Sequence, residues 1–242
     1  MTQNQNRYST KKHLPRQMGI PDEFPLRCYS PTVGDIPYGS PEILVGMDSG
    51  VSNTAFCTLE IIRDTCTGAV TDFKFLDAYY FKSELDQYAY QMDKQLYLAE
   101  QYFQLFNKKN VRELTFEVLP LPSTKGQETL NGVLDAQMTT DLIKTVAYIL
   151  KHHFNPVPAP AIKLCLNGSG NSSKNDMCIA GFSWTKDERL LYNDHMADAF
   201  ACCFYTFMKM MVRDCITYNL PIPEKFSHMT WNFKNMPLSS CI

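Results

Sequence analysis

Four side chains interrupt otherwise apolar stretches of this sequence, and each can hold a proton or a cation. Asp48 closes the run Ile43-Leu44-Val45-Gly46-Met47. Glu117 stands near the end of LTFEVLPL, residues 114–121. His195 and Asp198 lie three residues apart in NDHMADAFA, a spacing that sets both on one face of a helix. A carboxylate left bare among apolar groups is costly, so each acid needs a partner or a task. Taken singly, each has an ordinary explanation. Asp48 can cap a turn, Glu117 can face water from an edge strand, and acids favour the first turn of a helix. Brought together, they would repel one another and destabilise their own ionised forms. A divalent cation relieves that repulsion, and carboxylate oxygens with one imidazole suit Mg2+ or Mn2+. Two such ions side by side are the common device for cleaving a phosphodiester.

Whether these residues meet depends on the elements that carry them. The apolar run at 43–48 reads as a buried strand. Ser49-Gly50 turns the chain, and 53–62 returns as a second strand. Gly68 marks another turn, and 71–81 completes an antiparallel meander. Residues 84–107 place apolar side chains three and four apart, which predicts an amphipathic helix capped by Ser83. Residues 114–121 form a fourth strand, cut off by Pro120 and Pro122. A second helix is expected over 133–152, where His152-His153 reads as favourable capping of its C-terminal dipole. The proline cluster then leads to a fifth strand at 161–166 and a polar loop at 167–176. A last helix covers 194–217, capped by Asn193 or Asp194, with Ala197 and Ala201 small enough to let it approach a sheet. Strands 1, 4 and 5 alternate with helices and should be parallel. The expected fold is therefore α/β: a mixed five-stranded sheet, antiparallel over strands 1–3, parallel over 1-4-5, flanked by helices. Placing strand 4 beside strand 1 sets Asp48 and Glu117 together at one sheet end.

Four motifs in this order resemble the RuvC-type Holliday junction resolvases of the ribonuclease-H-like superfamily, over about residues 42–213. VGMDSG resembles the family's first strand, which ends in a catalytic Asp. TFEVLP resembles its second acidic strand, and HMADAFA its final helix, where an acid or His precedes Asp by three residues. AIKLCLNGSGNSSKNDM supplies a strand Lys, a Gly-Ser loop and a second Lys. The resemblance implies that Asp48, Glu117, His195 and Asp198 bind Mg2+, with Mn2+ able to substitute, and cleave branched DNA. It implies that Lys174 steadies the phosphate or the developing charge. Lys163 is a second basic contact, and Ser172 and Ser173 line the substrate between them. Asp194 remains a rival to His195 as third ligand, although His195 sits the three residues before Asp198 that the motif asks for. Pro120 stands where the family places a base-stacking aromatic, a departure that bears on junction opening and sequence preference. A four-way junction has near two-fold symmetry and needs two cuts, so a C2 homodimer is expected, its interface on one of the two long helices.

Composition narrows the remaining choices. The 242 residues, 45% apolar, can bury a sizeable core. No apolar run is long enough to span a membrane, and the first 17 residues lack the apolar stretch of a secretory leader. The nine cysteines are odd in number, without CxxC spacing, and mostly within apolar runs; reduced thiols in a cytoplasmic protein are expected, and a zinc site is not. A net charge of −2 gives no global attraction to nucleic acid. Residues 1–20, however, carry Arg7, Lys11, Lys12 and Arg16 and no acid. That basic arm can lie on phosphates. The expected organisation is an irregular arm at 1–40, a nuclease domain at 41–218 and an extension at 219–242. The loop at 167–176 lacks the GxxxxGK[ST] pattern of a nucleotide cradle. Two other functions stay open: a nuclease of the same fold acting on flaps, forks or RNA, and a non-catalytic DNA-binding or assembly subunit.

Overall fold

The computed structural model describes residues 36, 39–50, 52–82, 91–118 and 127–229. Lys11, Lys12, the expected cap Ser83, and Pro120 lie outside these residues. The apolar run at the start of the domain is strand β1, Glu42–Ser49, followed by β2, Asn53–Arg63, and β3, Val70–Lys82. Helix α1, Gln91–Phe106, leads to β4, Asn110–Val118, and helix α2, Gln127–Ile149. The sheet order is β3-β2-β1-β4-β5. β1 pairs antiparallel with β2, and β2 with β3. β1 pairs parallel with β4, and β4 with β5. The mixed five-stranded sheet expected from the sequence is the one observed.

The fifth strand lies elsewhere than expected. β5 is His153–Pro158, and residues 161–166 belong to helix α3, Ala159–Asn167. Prolines explain both halves of this correction. Pro156 and Pro158 sit in an edge strand whose outer side needs no ladder donor. Pro158 then caps α3 and Pro160 falls in its first turn, where a missing N–H costs nothing. The buried residues Ile162, Cys165 and Leu166 are spaced three and four apart, a helical rather than a strand period. Lys163 is thus a helix residue, not a strand residue. Gly168 ends α3 in the left-handed conformation, φ 74°, with its N–H on Leu164 O at 2.9 Å.

The polar stretch expected as a loop to 176 turns into helix two residues earlier. Helix α4, Lys174–Thr185, starts at a capping box: Ser173 Oγ accepts from the Asp176 N–H, and Asp176 accepts from the Ser173 N–H. The short α5, Arg189–Tyr192, and the long α6, Asp194–Thr217, follow; α6 has the bounds expected for the last helix. A further short helix, α7, Glu224–Ser227, buries Phe226 in the same core as α6. His152 does not cap α2. It lies past the helix end, buried, with Nδ1 2.9 Å from Tyr102 Oη. Burial pushes its imidazole down to about 4.

The sheet separates two apolar layers. Val45, Met47 and Phe56 face α1 and α2, packing with Tyr102, Phe106 and Ile143. Leu44, Ala55 and Cys57 face α6, with Phe200, Phe204 and Phe207. Gly46 lies between Leu44 and Asp48 on β1's α6 face, and a Cβ there would stand 1.9 Å from Ala199 O and 2.6 Å from Cys203 N. The helix can cross β1 this closely only because residue 46 has no side chain. Ala199 and Cys203 make that crossing, while Ala197 packs toward Gly181 of α4.

Candidate active site

Strand alternation puts Leu44, Gly46 and Asp48 on the α6 face of β1. On β4 the same face carries Thr115, whose Oγ1 lies 2.5 Å from Thr206 Oγ1 of α6, and then Glu117. The parallel ladder ends at Met47–Phe116, so Asp48 and Glu117 each stand one residue beyond its last pair. α6 begins directly above. Asn193 caps it, accepting from the Met196 N–H at 3.1 Å. At the second residue of the helix, His195 Nδ1 lies 2.6 Å from Asp48 Oδ2. Asp198, three residues later, turns to the same side.

The charges of these groups act on one another. Glu117 is pushed up to about 7, first by burial and then by the negative charges of Asp48 and Asp198. Asp198 is pushed up to about 6, again by burial and then by Asp48. The hydrogen bond that His195 Nδ1–H donates to the Asp48 carboxylate holds the imidazole above its ordinary range. Lys163, on α3, pulls both Glu117 and Asp198 back toward ionisation. Lys174, the first residue of α4, joins its Nζ to Asp194 Oδ2, the first residue of α6. That pair raises the lysine and holds Asp194 below the usual carboxylate range. Asp194 is thereby committed to Lys174, whereas His195 faces Asp48.

The structure therefore brings Asp48, Glu117, His195, Asp198, Lys163 and Lys174 to one end of the sheet. Ser172 and Ser173 stand beside them but have local partners. Ser172 is buried and donates to Ser169 O at 2.8 Å, and Ser173 is occupied by the α4 capping box. The sequence reading missed Tyr80 of β3, whose ring lies parallel to the His195 imidazole at 15°, centroids 5.8 Å apart. The signal was in the register, since Tyr80 pairs with Ala55 and Ala55 with Asp48.

The donor set suits a divalent cation. Three half-buried carboxylates, two of them driven toward neutrality by burial and then by their neighbours' negative charge, have the hard oxygens and the missing countercharge that Mg2+ or Mn2+ would satisfy. Among the described residues, no three His, Cys, Asp or Glu side chains are grouped closely enough to hold a metal ion. One oxygen of Asp48 is turned to His195 instead.

Neither a family model nor a curated protein sequence matches the chain. Solved structures do match its fold. RuvC from Thermus thermophilus superposes with a TM-score of 0.53 at 13% identity, covering 70% of this chain and 96% of that one. T. thermophilus RuvC in complex with a Holliday junction substrate gives a TM-score of 0.56 at 13% identity, with the same coverage. The chain shares the fold of these RuvC structures, the fold that the resemblance implied. No helix among the described residues is long and apolar enough to cross a membrane.

Proposed function

We propose that this protein is a metal-dependent endonuclease that resolves Holliday junctions or closely related branched DNA. The observation that carries this reading is the convergence of Asp48, Glu117, His195 and Asp198 at the carboxyl ends of β1 and β4, with two lysines facing them. Ligands bind at this end of strands in open α/β sheets. The likeness to RuvC supports the choice of substrate, because one of the matching structures holds a junction.

Asp48, Glu117 and Asp198 would hold the divalent cation, with His195 completing the set. The bound ion would activate water for attack on phosphorus and stabilise the leaving oxygen. The chain's own residues do the rest. Lys174 exchanges the Asp194 carboxylate for a phosphate oxygen, and Lys163 favours the ionised forms of Glu117 and Asp198. Asp48 orients the His195 ring through Nδ1.

A symmetric junction cut twice calls for two copies of this site. We place the dimer contact on α1 and α2, where Met92 and Leu96 form one exposed apolar stripe and Leu134 and Met138 another.

Cleavage of a synthetic four-way junction, compared with flap, fork, linear duplex and RNA substrates, with and without Mg2+ or Mn2+, tests the reading. Junction-selective cutting that needs the ion and disappears in Asp48→Asn, with junction binding retained, is the expected result. Absence of cleavage with either ion would overturn the enzyme reading in favour of a binding subunit. Preference for flaps or RNA would reassign the substrate.

A further inference from the structure

We propose that Tyr80 is a positioning residue for His195, holding the imidazole flat so that Asp48 can grip it at Nδ1. The inference rests on the nuclease reading above and deepens it.

Residues paired across neighbouring strands project from the same face of a sheet. Asp48 pairs with Ala55, and Ala55 with Tyr80. These three side chains therefore form one row across β1, β2 and β3 on the α6 side. The middle member carries only a methyl group. His195 descends from α6 between the outer two, with the Asp48 carboxylate at its Nδ1 and the Tyr80 ring stacked on its face. The Tyr80 ring is itself fixed. Its hydroxyl donates to Asn53 Oδ1 at 2.6 Å, and Asn53 sits two residues before Ala55 on the same face of β2. Asn53, Tyr80, His195 and Asp48 thus form a continuous chain over four elements, and each link removes a degree of freedom from the imidazole. Parallel, offset ring pairs at this separation are attractive, and more so when one ring carries positive charge. An imidazole held only by Asp48 would still be free to rotate about that hydrogen bond. The stack removes that rotation.

Two substitutions separate the parts of this device. Tyr80→Phe keeps the ring and loses the bond to Asn53. Tyr80→Leu keeps an apolar group of similar reach and loses the stack. In the metal-free protein, the His195 ring protons should show an upfield ring-current displacement by NMR in wild type and Tyr80→Phe, and none in Tyr80→Leu. In junction cleavage, Tyr80→Leu should lower kcat by roughly tenfold to a hundredfold with KM unchanged, since misplacing a catalytic group costs on that scale. Tyr80→Phe should recover most of that loss. In a His195→Ala background, Tyr80→Leu should have no further effect on kcat.

The inference is overturned if the ring-current displacement is absent in wild type, if Tyr80→Leu cleaves at the wild-type rate, or if its loss adds fully to that of His195→Ala. A wild-type protein that binds junctions but never cuts them overturns the nuclease reading itself, and with it a positioning role in cleavage. A cutting wild type with an indifferent Tyr80→Leu overturns only the assignment of Tyr80.

Discussion

Lys174 and Asp194 show how much a single ion pair can decide. Lys174 is mostly exposed, so its pairing with Asp194 contributes little stability, about 0–1 kcal/mol by the usual behaviour of such pairs. A phosphate oxygen can displace the carboxylate at small cost. Asp194→Asn should therefore strengthen junction binding, by less than about fivefold for that energy, while cleavage persists. Lys174→Ala should weaken it, and in that background Asp194→Asn should change nothing. Equilibrium titrations of the four proteins give the cycle directly. If Asp194→Asn abolishes cleavage as Asp48→Asn does, Asp194 is the third ligand and His195 is not. His152 makes a separate prediction at this scale. Its imidazole is held down to about 4 by burial, against an ordinary value of 6.5. Between those values the unfolded chain takes up a proton that the native protein refuses. The His152 contribution to stability is then full above about pH 6.5 and falls as pH drops toward 4, by about 3 kcal/mol. Glu117 and Asp198, both raised, titrate in the opposite sense over this range, so the His152 contribution is read as the difference between wild type and His152→Gln in urea denaturation at pH 7 and pH 4.5. His152→Gln, which cannot titrate, should lack that contribution.

At the scale of elements, α6 decides the architecture, and Gly46 decides how α6 can lie. The Cβ of Gly46→Ala would meet helix backbone, which cannot move aside as a flexible side chain would. A cost of about 3 kcal/mol or more is expected, at or above the upper end of ordinary overpacking. Loss of the Met47–Phe116 register should follow. Denaturant midpoints and hydrogen exchange at β1 would reveal both. Ser173→Ala removes the α4 cap and should cost about 1 kcal/mol, with Lys174 losing its fixed place at the helix start. These elements also show what the sequence made legible. β1, β2 and β3 came through because alternation and turn residues agree. α6 came through because its cap and a long apolar repeat coincide. The fifth strand was placed on the residues of α3 because prolines were taken to end one helix and open a strand. An edge strand and a helix first turn are the two places that tolerate them. The start of α4 was read as loop because SSKND is polar, and the rest of α4 was assigned no element, although the Ser-x-x-Asp spacing is a capping signature. Asp48, Glu117, His195 and Asp198 were legible because acids in apolar runs are conspicuous. Tyr80 was not, since an aromatic in a strand looks like core until the register is known.

At the scale of the whole molecule, two questions concern copies and charge. The stripes Met92–Leu96 and Leu134–Met138 lie on neighbouring helices of the layer opposite α6, about half exposed. If they meet their symmetry mates, Leu96→Glu with Met138→Glu should yield a monomer by light scattering, with its melting curve little altered at sites already wet in the single chain. That monomer should nick junctions singly rather than cut them in pairs.

Charge sets the last prediction. A chain of net −2 cannot attract a polyanion as a whole, so its affinity for DNA must come from a few local cations. Each phosphate that such a cation neutralises adds about 0.9 to the slope of log affinity against log salt on duplex arms. Lys174→Ala and Lys163→Ala should each lower that slope by about 1. The first 20 residues hold Arg7, Lys11, Lys12 and Arg16. If all four lie on phosphates, deleting them should lower the slope by about 3 to 4. Fluorescence-polarisation titrations from about 50 to 200 mM salt span the range where such differences are largest. A deletion that leaves the slope unchanged would assign the arm to some role other than binding DNA. It would leave the lysines of α3 and α4 as the cations that anchor the junction.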